Sequence, residues 1–226
     1  MNKSENKLKI LLVGTKRTCD KAGDFDLGDH ELIKFPVLDT AQLKNINIPQ
    51  TNYEWLLLTS PAAVFHFSQL SHKPSFKKLA VIGPSTMKAS EKEQLQVNYI
   101  PKSFNAKSFS EEFLSVHPST KNALFLCSSK ADDTMSETFK TAEVSLERIN
   151  IYEPVILEKR ELQTYDAIAF LSSSSVQAFK KTYGTPTTKK IAAIGKKAAK
   201  SVKNCFGFDP AVPIKSTTKD TIQVLL

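Results

Sequence analysis

Tyr53-Glu54-Trp55-Leu56-Leu57-Leu58-Thr59-Ser60 returns 112 residues later as Tyr165-Asp166-Ala167-Ile168-Ala169-Phe170-Leu171-Ser172. At the same displacement Lys77-Lys78-Leu79-Ala80-Val81-Ile82-Gly83 returns as Lys189-Lys190-Ile191-Ala192-Ala193-Ile194-Gly195, with five of the seven positions identical, and Pro101 meets Pro213. Earlier segments pair with small gaps: Leu12-Val13-Gly14-Thr15 against Phe125-Leu126-Cys127-Ser128, and Lys34-Phe35 against Arg148-Ile149. A period above 100 residues excludes solenoid arrays, whose units run about 20 to 50 residues. The chain reads as two α/β halves, and a ligand is expected between them.

Around these repeats, short apolar runs alternate with amphipathic stretches of helix length. Strands are expected at residues 8–14, 31–37, 55–59, 79–82, 97–100, 123–127, 144–152, 167–171, 191–194 and 211–214. Runs such as Leu56-Leu57-Leu58 are continuously apolar, the mark of strands covered on both faces, as in parallel sheets. Strand-then-helix repetition at this spacing argues for doubly wound α/β domains. Several strands end in helix-start chemistry: Ser60-Pro61, Gly83-Pro84-Ser85-Thr86 and Ser172-Ser173-Ser174-Ser175 offer caps. In open α/β sheets such turns bind ligands, and free N–H groups at helix starts suit anions. Two proline-bearing segments at corresponding points, Phe35-Pro36-Val37-Leu38-Asp39 and Asn150-Ile151-Tyr152-Glu153-Pro154-Val155, read as crossings between domains. Leu38 and Tyr152 are near-equivalent there, an asymmetry that a purely structural duplication would not need.

Composition sets outer limits. The 226 residues are 41% apolar and 24% charged, an ordinary globular balance. The longest apolar runs are strand-sized, far short of the ~20 residues that span a bilayer. The polar amino terminus shows no signal-peptide pattern. Three scattered cysteines, Cys19, Cys127 and Cys205, suit a reducing cytoplasm, the expected location. Net charge is +8, and between residues 167 and 208 there is no acid but eight lysines: 180, 181, 189, 190, 196, 197, 200 and 203. Such a field attracts polyanions; the plainer alternative is a solvated basic face. Lys196 and Lys197 follow Gly195, where a helix should begin, and cations there oppose the helix dipole by about 0.3–1 kcal/mol. A bound anion would remove that conflict.

Several chemistries lack their residues. Seven glycines supply no G-x-G-x-x-G and no phosphate-binding loop of the nucleotide-hydrolase type. The histidines His30, His66, His72 and His117 show no metal-ligand spacing, and no G-x-S-x-G elbow occurs. His66 reads as a partly buried surface histidine.

The ordered set of segments resembles the uroporphyrinogen-III synthase family. Trp55-Leu56-Leu57-Leu58-Thr59-Ser60-Pro61-Ala62-Ala63-Val64 is similar to that family's hydrophobic strand, Thr-Ser and Ala-Val helix. Ala80-Val81-Ile82-Gly83-Pro84-Ser85-Thr86 is similar to its VG-x-x-T turn, and Phe170-Leu171-Ser172-Ser173-Ser174-Ser175-Val176 and Ala193-Ile194-Gly195 to the second-half counterparts. Ile149-Asn150-Ile151-Tyr152-Glu153-Pro154-Val155 resembles the linker with its functional tyrosine. The resemblance implies an α/β fold of two flavodoxin-like (HemD-like) domains with parallel sheets, joined by two extended linkers, the first domain discontinuous. The domains would hold residues 1–36 plus 155–226, and 39–150, with linkers at about 36–39 and 150–155.

It implies a reaction as well. Hydroxymethylbilane, a linear tetrapyrrole with eight carboxylates, closes to uroporphyrinogen III with loss of water and inversion of the terminal ring, in an interdomain cleft and without cofactor or metal. Tyr152 would be catalytic, its phenol assisting departure of the hydroxyl. Ser60, Thr86, Ser128, Ser172, Ser173, Ser174, Lys196, Lys197, Lys16 and Arg17 would bind substrate, along with the lysine-rich stretch. The family commonly has a threonine pair where this chain has Lys196-Lys197-Ala198. A monomer without nucleic-acid or membrane partners is implied. The alternatives are a non-enzymatic two-lobed binding protein for an anionic small molecule and a polyanion-binding accessory protein. The latter would need aromatics interleaved with the lysines.

Overall fold

The computed structural model describes residues 7–23 and 26–226. The first half of the chain forms β1 (Lys9–Thr15), α1 (Lys16–Asp20), β2 (Glu31–Gln42), β3 (Asn52–Leu58), α2 (Pro61–Ser68), β4 (Ser75–Val81), α3 (Pro84–Lys92) and α4 (Ala106–Val116). The second half forms β5 (Asn122–Ser128), α5 (Thr134–Thr141), β6 (Ser145–Ile156), β7 (Ala167–Phe170), α6 (Ser173–Tyr183), β8 (Ile191–Ala193), α7 (Lys196–Phe206) and α8 (Thr218–Gln223). The chain divides into two compact units, Met1–Asp39 with Val155–Leu226, and Thr40–Pro154.

Unit 1 has strand order β2-β1-β7-β8, and unit 2 has β6-β5-β3-β4, with neighbours parallel. The two orders become one when β1, β2, β7 and β8 are matched to β5, β6, β3 and β4. Each half of the repeat therefore gives its first two strands to one unit and its last two to the other.

Both faces of each sheet are covered, which is why the strands read as unbroken apolar runs. In unit 1, Leu11, Val13, Ile168 and Phe170 pack with Phe179 and Val202 on one face, while Ile10, Leu12, Ala167 and Ala169 pack with Ile222 and Leu225 on the other. In unit 2, Leu56, Leu58, Leu124 and Leu126 pack with Val64 and Phe67, and Trp55, Leu57 and Phe125 with Phe109, Phe113 and Phe139. Phe67 and Phe179, 112 residues apart, are both buried. Burying such a ring contributes about 1.5–3 kcal/mol.

The repeat is written most clearly in the helix starts. Ser60 and Ser172 accept the N–H of Ala63 and Ser175, each at 3.0 Å. Asn105 and Thr217, also 112 apart, cap α4 and α8. Gly83 and Gly195 start α3 and α7 without any side-chain cap. Gly83-Pro84-Ser85-Thr86 is thus no capping segment in the expected sense. Glycine brings no acceptor, and Thr86 sits inside the helix, its N–H bonded to Gly83 O at 3.0 Å.

Two expected strands are absent. Residues 97–100 and 211–214 each reduce to one bridge, Ala80↔Tyr99 and Ala192↔Ala211. Few hydrogen bonds persist there: Val81 and Ala193 donate to Tyr99 O and Ala211 O, Tyr99 and Ala211 donate to Leu79 O and Ile191 O, and Asn98 exchanges bonds with Leu79. Prolines two residues on, Pro101 and Pro213, lack the N–H that would extend the ladder.

The crossing segments are in strand conformation. β2 runs to Gln42 and β6 to Ile156, past the limits expected from the sequence. The crossing backbone finds partners inside each unit: Leu43 N–H donates to Ile151 O, and Leu157 N–H to Val37 O, both at 3.0 Å.

Candidate active site

In a parallel sheet every strand ends on the same edge, so the turns after the strands of one unit share a rim. In unit 2 this rim carries Ser128 at the end of β5, Ser60 after β3 and Thr86 after β4. β6 brings Tyr152 beside Ser128 through a bulge, because the register shifts between Cys127 and Ser128 and pairs Ser128 with Tyr152. β1 and β2 carry the same bulge, pairing Thr15 with Leu38. Leu38 and Tyr152 are therefore structural equivalents.

The Tyr152 hydroxyl lies 2.8 Å from Ser60 Oγ. Ser60 Oγ already accepts the Ala63 N–H, and a serine hydroxyl has one proton to give. Either hydroxyl can be the donor across this contact. The ring is held as well. His66 on α2 stacks on it with centroids 4.9 Å apart and planes inclined by 12°. His66 Nε2 is 2.9 Å from Thr40 Oγ1. Ser129 N–H bonds Tyr152 O at 2.9 Å, fixing the backbone below.

His66 is not the surface residue expected: it is 2% exposed. A signal for this exists, because Ala63, His66 and Phe67 fall at i, i+3 and i+4, one buried stripe. Thr40 has no such signal.

The other unit 2 candidates differ in access. Ser128 is half-buried and accepts the Lys130 N–H at 3.2 Å. Thr86 is 1% exposed, so its side chain is packed rather than offered to a ligand. The adjacent Cys127 thiol is buried and donates to Asn150 Oδ1 at 3.3 Å. Burial pushes its pKa up while Arg148 opposes the shift, and the Cys19 thiol is pushed up to about 11, chiefly by burial. Neither is a ready thiolate nucleophile.

Unit 1 presents Lys16 and Arg17 after β1, Ser172, Ser173 and Ser174 after β7, and Lys196 and Lys197 after β8, on strands adjacent in the order β1-β7-β8. Lys16, Lys196, Lys197 and Ser174 are exposed. Ser172 is engaged in a capping box with Ser175 and lies 3.1 Å from Ser174 Oγ. The eight lysines do not act together. Lys189 and Lys190 precede β8, at the opposite edge, and Lys180 and Lys181 end α6. Lys203 pairs with Asp209 at 2.8 Å. Lys196 and Lys197 start α7 at the rim, and β8 separates them from the lysines just before it. Among the described residues there is no cluster of three or more His, Cys, Asp or Glu able to hold a metal. Among the same described residues no helix is long and apolar enough to cross a membrane.

Parallel α/β units with hydroxyls and cations at the strand ends place the chain in the doubly wound α/β class, in which ligands bind at such ends. Within that class, the chain belongs to the uroporphyrinogen-III synthase family: the family model described as uroporphyrinogen-III synthase HemD matches residues 26–223. A Methanocaldococcus jannaschii protein described as a candidate uroporphyrinogen-III synthase is 23% identical, over 96% of this chain and 98% of its own. The crystal structure of Helicobacter pylori uroporphyrinogen-III synthetase shares the fold, with a TM-score of 0.71 at 13% identity over 96% of this chain and 97% of that one. A methionine-substituted Thermus thermophilus uroporphyrinogen III synthase gives a TM-score of 0.55 at 14% identity, covering 96% of each chain.

Proposed function

We propose that this protein is a uroporphyrinogen-III synthase that converts hydroxymethylbilane to uroporphyrinogen III. The observation that carries the reading is the Tyr152 phenol, held 2.8 Å from Ser60 Oγ at the strand-end rim of unit 2. In the proposed reaction the C–O bond of the hydroxymethyl group breaks and the phenol proton leaves with the hydroxyl as water. The resulting azafulvene cation is captured by the already substituted α-carbon of the terminal pyrrole. The bond from that carbon to its original methylene bridge then breaks, and the bridge re-forms at the free α-carbon, so that the ring closes inverted. The proton released when that pyrrole regains aromaticity restores the balance. Positioned acid assistance of this kind typically contributes about 10²–10⁴ in rate. Much of the remainder is orientation of a flexible chain so that inversion precedes simple closure.

The substrate's carboxylates are assigned in this proposal to Lys16, Arg17, Lys196 and Lys197 and to the hydroxyls of Ser60, Ser128, Ser172, Ser173 and Ser174. Thr86 contributes its helix start rather than its buried side chain. The proposal includes two flavodoxin-like domains acting as one cytoplasmic monomer without cofactor.

The test is a coupled assay with freshly generated hydroxymethylbilane, oxidation of the products and separation of the porphyrin isomers. Isomer III in excess is the expected result. Isomer I alone at every protein concentration would overturn the enzyme reading and leave the anion-binding module in its place.

A further inference from the structure

We propose that His66 is the positioning residue of the Tyr152 phenol, an inference that deepens the synthase reading and rests on it. Two groups on or beside one short helix hold the phenol. Ser60, the cap of α2, lies 2.8 Å from its oxygen, and His66, within α2, covers its ring at 4.9 Å and 12°. The imidazole is itself anchored, 2.9 Å from Thr40 Oγ1 on the end of β2. With the Tyr152 backbone tied to Ser128 and Ser129, its freedom reduces to the two side-chain torsions. The stacked ring restrains the tilt, and Ser60 restrains the depth.

The internal repeat supports the pairing of these two residues. Position 66 corresponds to Ala178 in unit 1, and Tyr152 corresponds to Leu38. The flanking positions persist: Ser60 with Ser172, Val64 with Val176, and Phe67 with Phe179. Phenol and imidazole are thus present together in one unit and replaced together by aliphatic side chains in the other. A histidine needed only to fill the core would be independent of what stands at position 152. A buried imidazole brings a polar ring into an apolar cluster, a cost that an aliphatic residue avoids. Its retention beside the phenol is accounted for by orientation of the proton donor, since a misplacement of about 1 Å costs about 10²-fold in rate.

The experiment compares wild type, His66→Ala and His66→Phe in the isomer-resolved assay, with ring resonances of selectively labelled tyrosine followed by NMR. His66→Ala is expected to lower kcat about 10- to 100-fold with KM within about twofold. It should also shift the Tyr152 ring resonances. His66→Phe, which keeps a flat ring, is expected to recover kcat to within about threefold and restore the shifted resonances. Wild-type kcat in His66→Ala overturns the inference and leaves the synthase reading standing. So does equal loss in both variants with Tyr152 resonances unchanged. Isomer I alone from wild type removes the synthase reading and this inference with it, and is recognised because the parent protein fails. Should His66→Ala not fold, Thr40→Val is read in its place: a several-fold fall in kcat at constant KM supports the inference, and an unchanged kcat overturns it.

Discussion

Unit 1 and unit 2 are built on one plan, and they differ most where chemistry is expected. Strand order, helix starts and the bulge on the first strand pair correspond residue by residue. At the bulge, unit 2 has Tyr152 under His66 and unit 1 has Leu38. At the uncapped helix starts, a Cβ built on Gly83 would lie 3.2 Å from the exposed Phe104 ring, and one on Gly195 would lie 3.2 Å from Ser216 Oγ. Phe104 and Ser216 are again 112 residues apart. After α3 and α7 the units diverge further. α4 has 11 residues and is followed by His117 among Trp55, Tyr99 and Phe113, whereas α8 has 6. A duplicated scaffold thus keeps its caps and core, and the rims are free to specialise: one toward a phenol, the other toward lysines.

The comparison can be broken at its centre by making unit 2 copy unit 1. Tyr152→Leu should lower isomer III formation by about 10²–10⁴-fold, and adding Leu38→Tyr should not restore it, because Ala178 stands where the phenol would need His66. Recovery in the double variant would mean that the two rims are interchangeable.

A smaller effect tests the shared caps. Ser60→Ala and Ser172→Ala should each cost about 1 kcal/mol in urea unfolding, the usual loss for a helix cap. The activities should part company, with kcat falling in Ser60→Ala because the phenol loses its partner. A stability difference above about 1 kcal/mol between the variants would show that the caps are not equivalent.

The smallest effect belongs to His117, at the end of α4. Burial and then Lys78 lower its pKa below the ordinary value of 6.5. The unfolded chain therefore binds the proton first as pH falls, and the stability tied to neutral His117 declines below about 6.5, fully lost below the folded value. Comparing the urea midpoints of wild type and His117→Gln at pH 7.5 and pH 5 reads this. A larger acid loss in the variant than in wild type would contradict it.

Much of this plan was legible before any coordinates. Ser60, Ser172, Gly83 and Gly195 stood out as strand-end turns because strand length and helix-start chemistry are local. Leu38 and Tyr152 could be matched because a repeat carries its own alignment. The stack of His66 on Tyr152 was not legible, because it joins residues 86 apart in sequence and depends on how α2 lies across the sheet. The lysines misled for the same reason: residues 189, 190, 196 and 197 are neighbours in sequence, but a strand stands between the two pairs.

The sequence by itself determined the duplication, the parallel α/β class and the positions of the helix starts, because hydrophobic period and capping act over a few residues. Tertiary structure alone decided which groups meet. The bulge that sets Tyr152 beside Ser128, the hydroxyl of Ser60 against the phenol, the imidazole over its ring and the burial of Thr86 all require distant segments to pack. Such contacts leave no local signature in the chain.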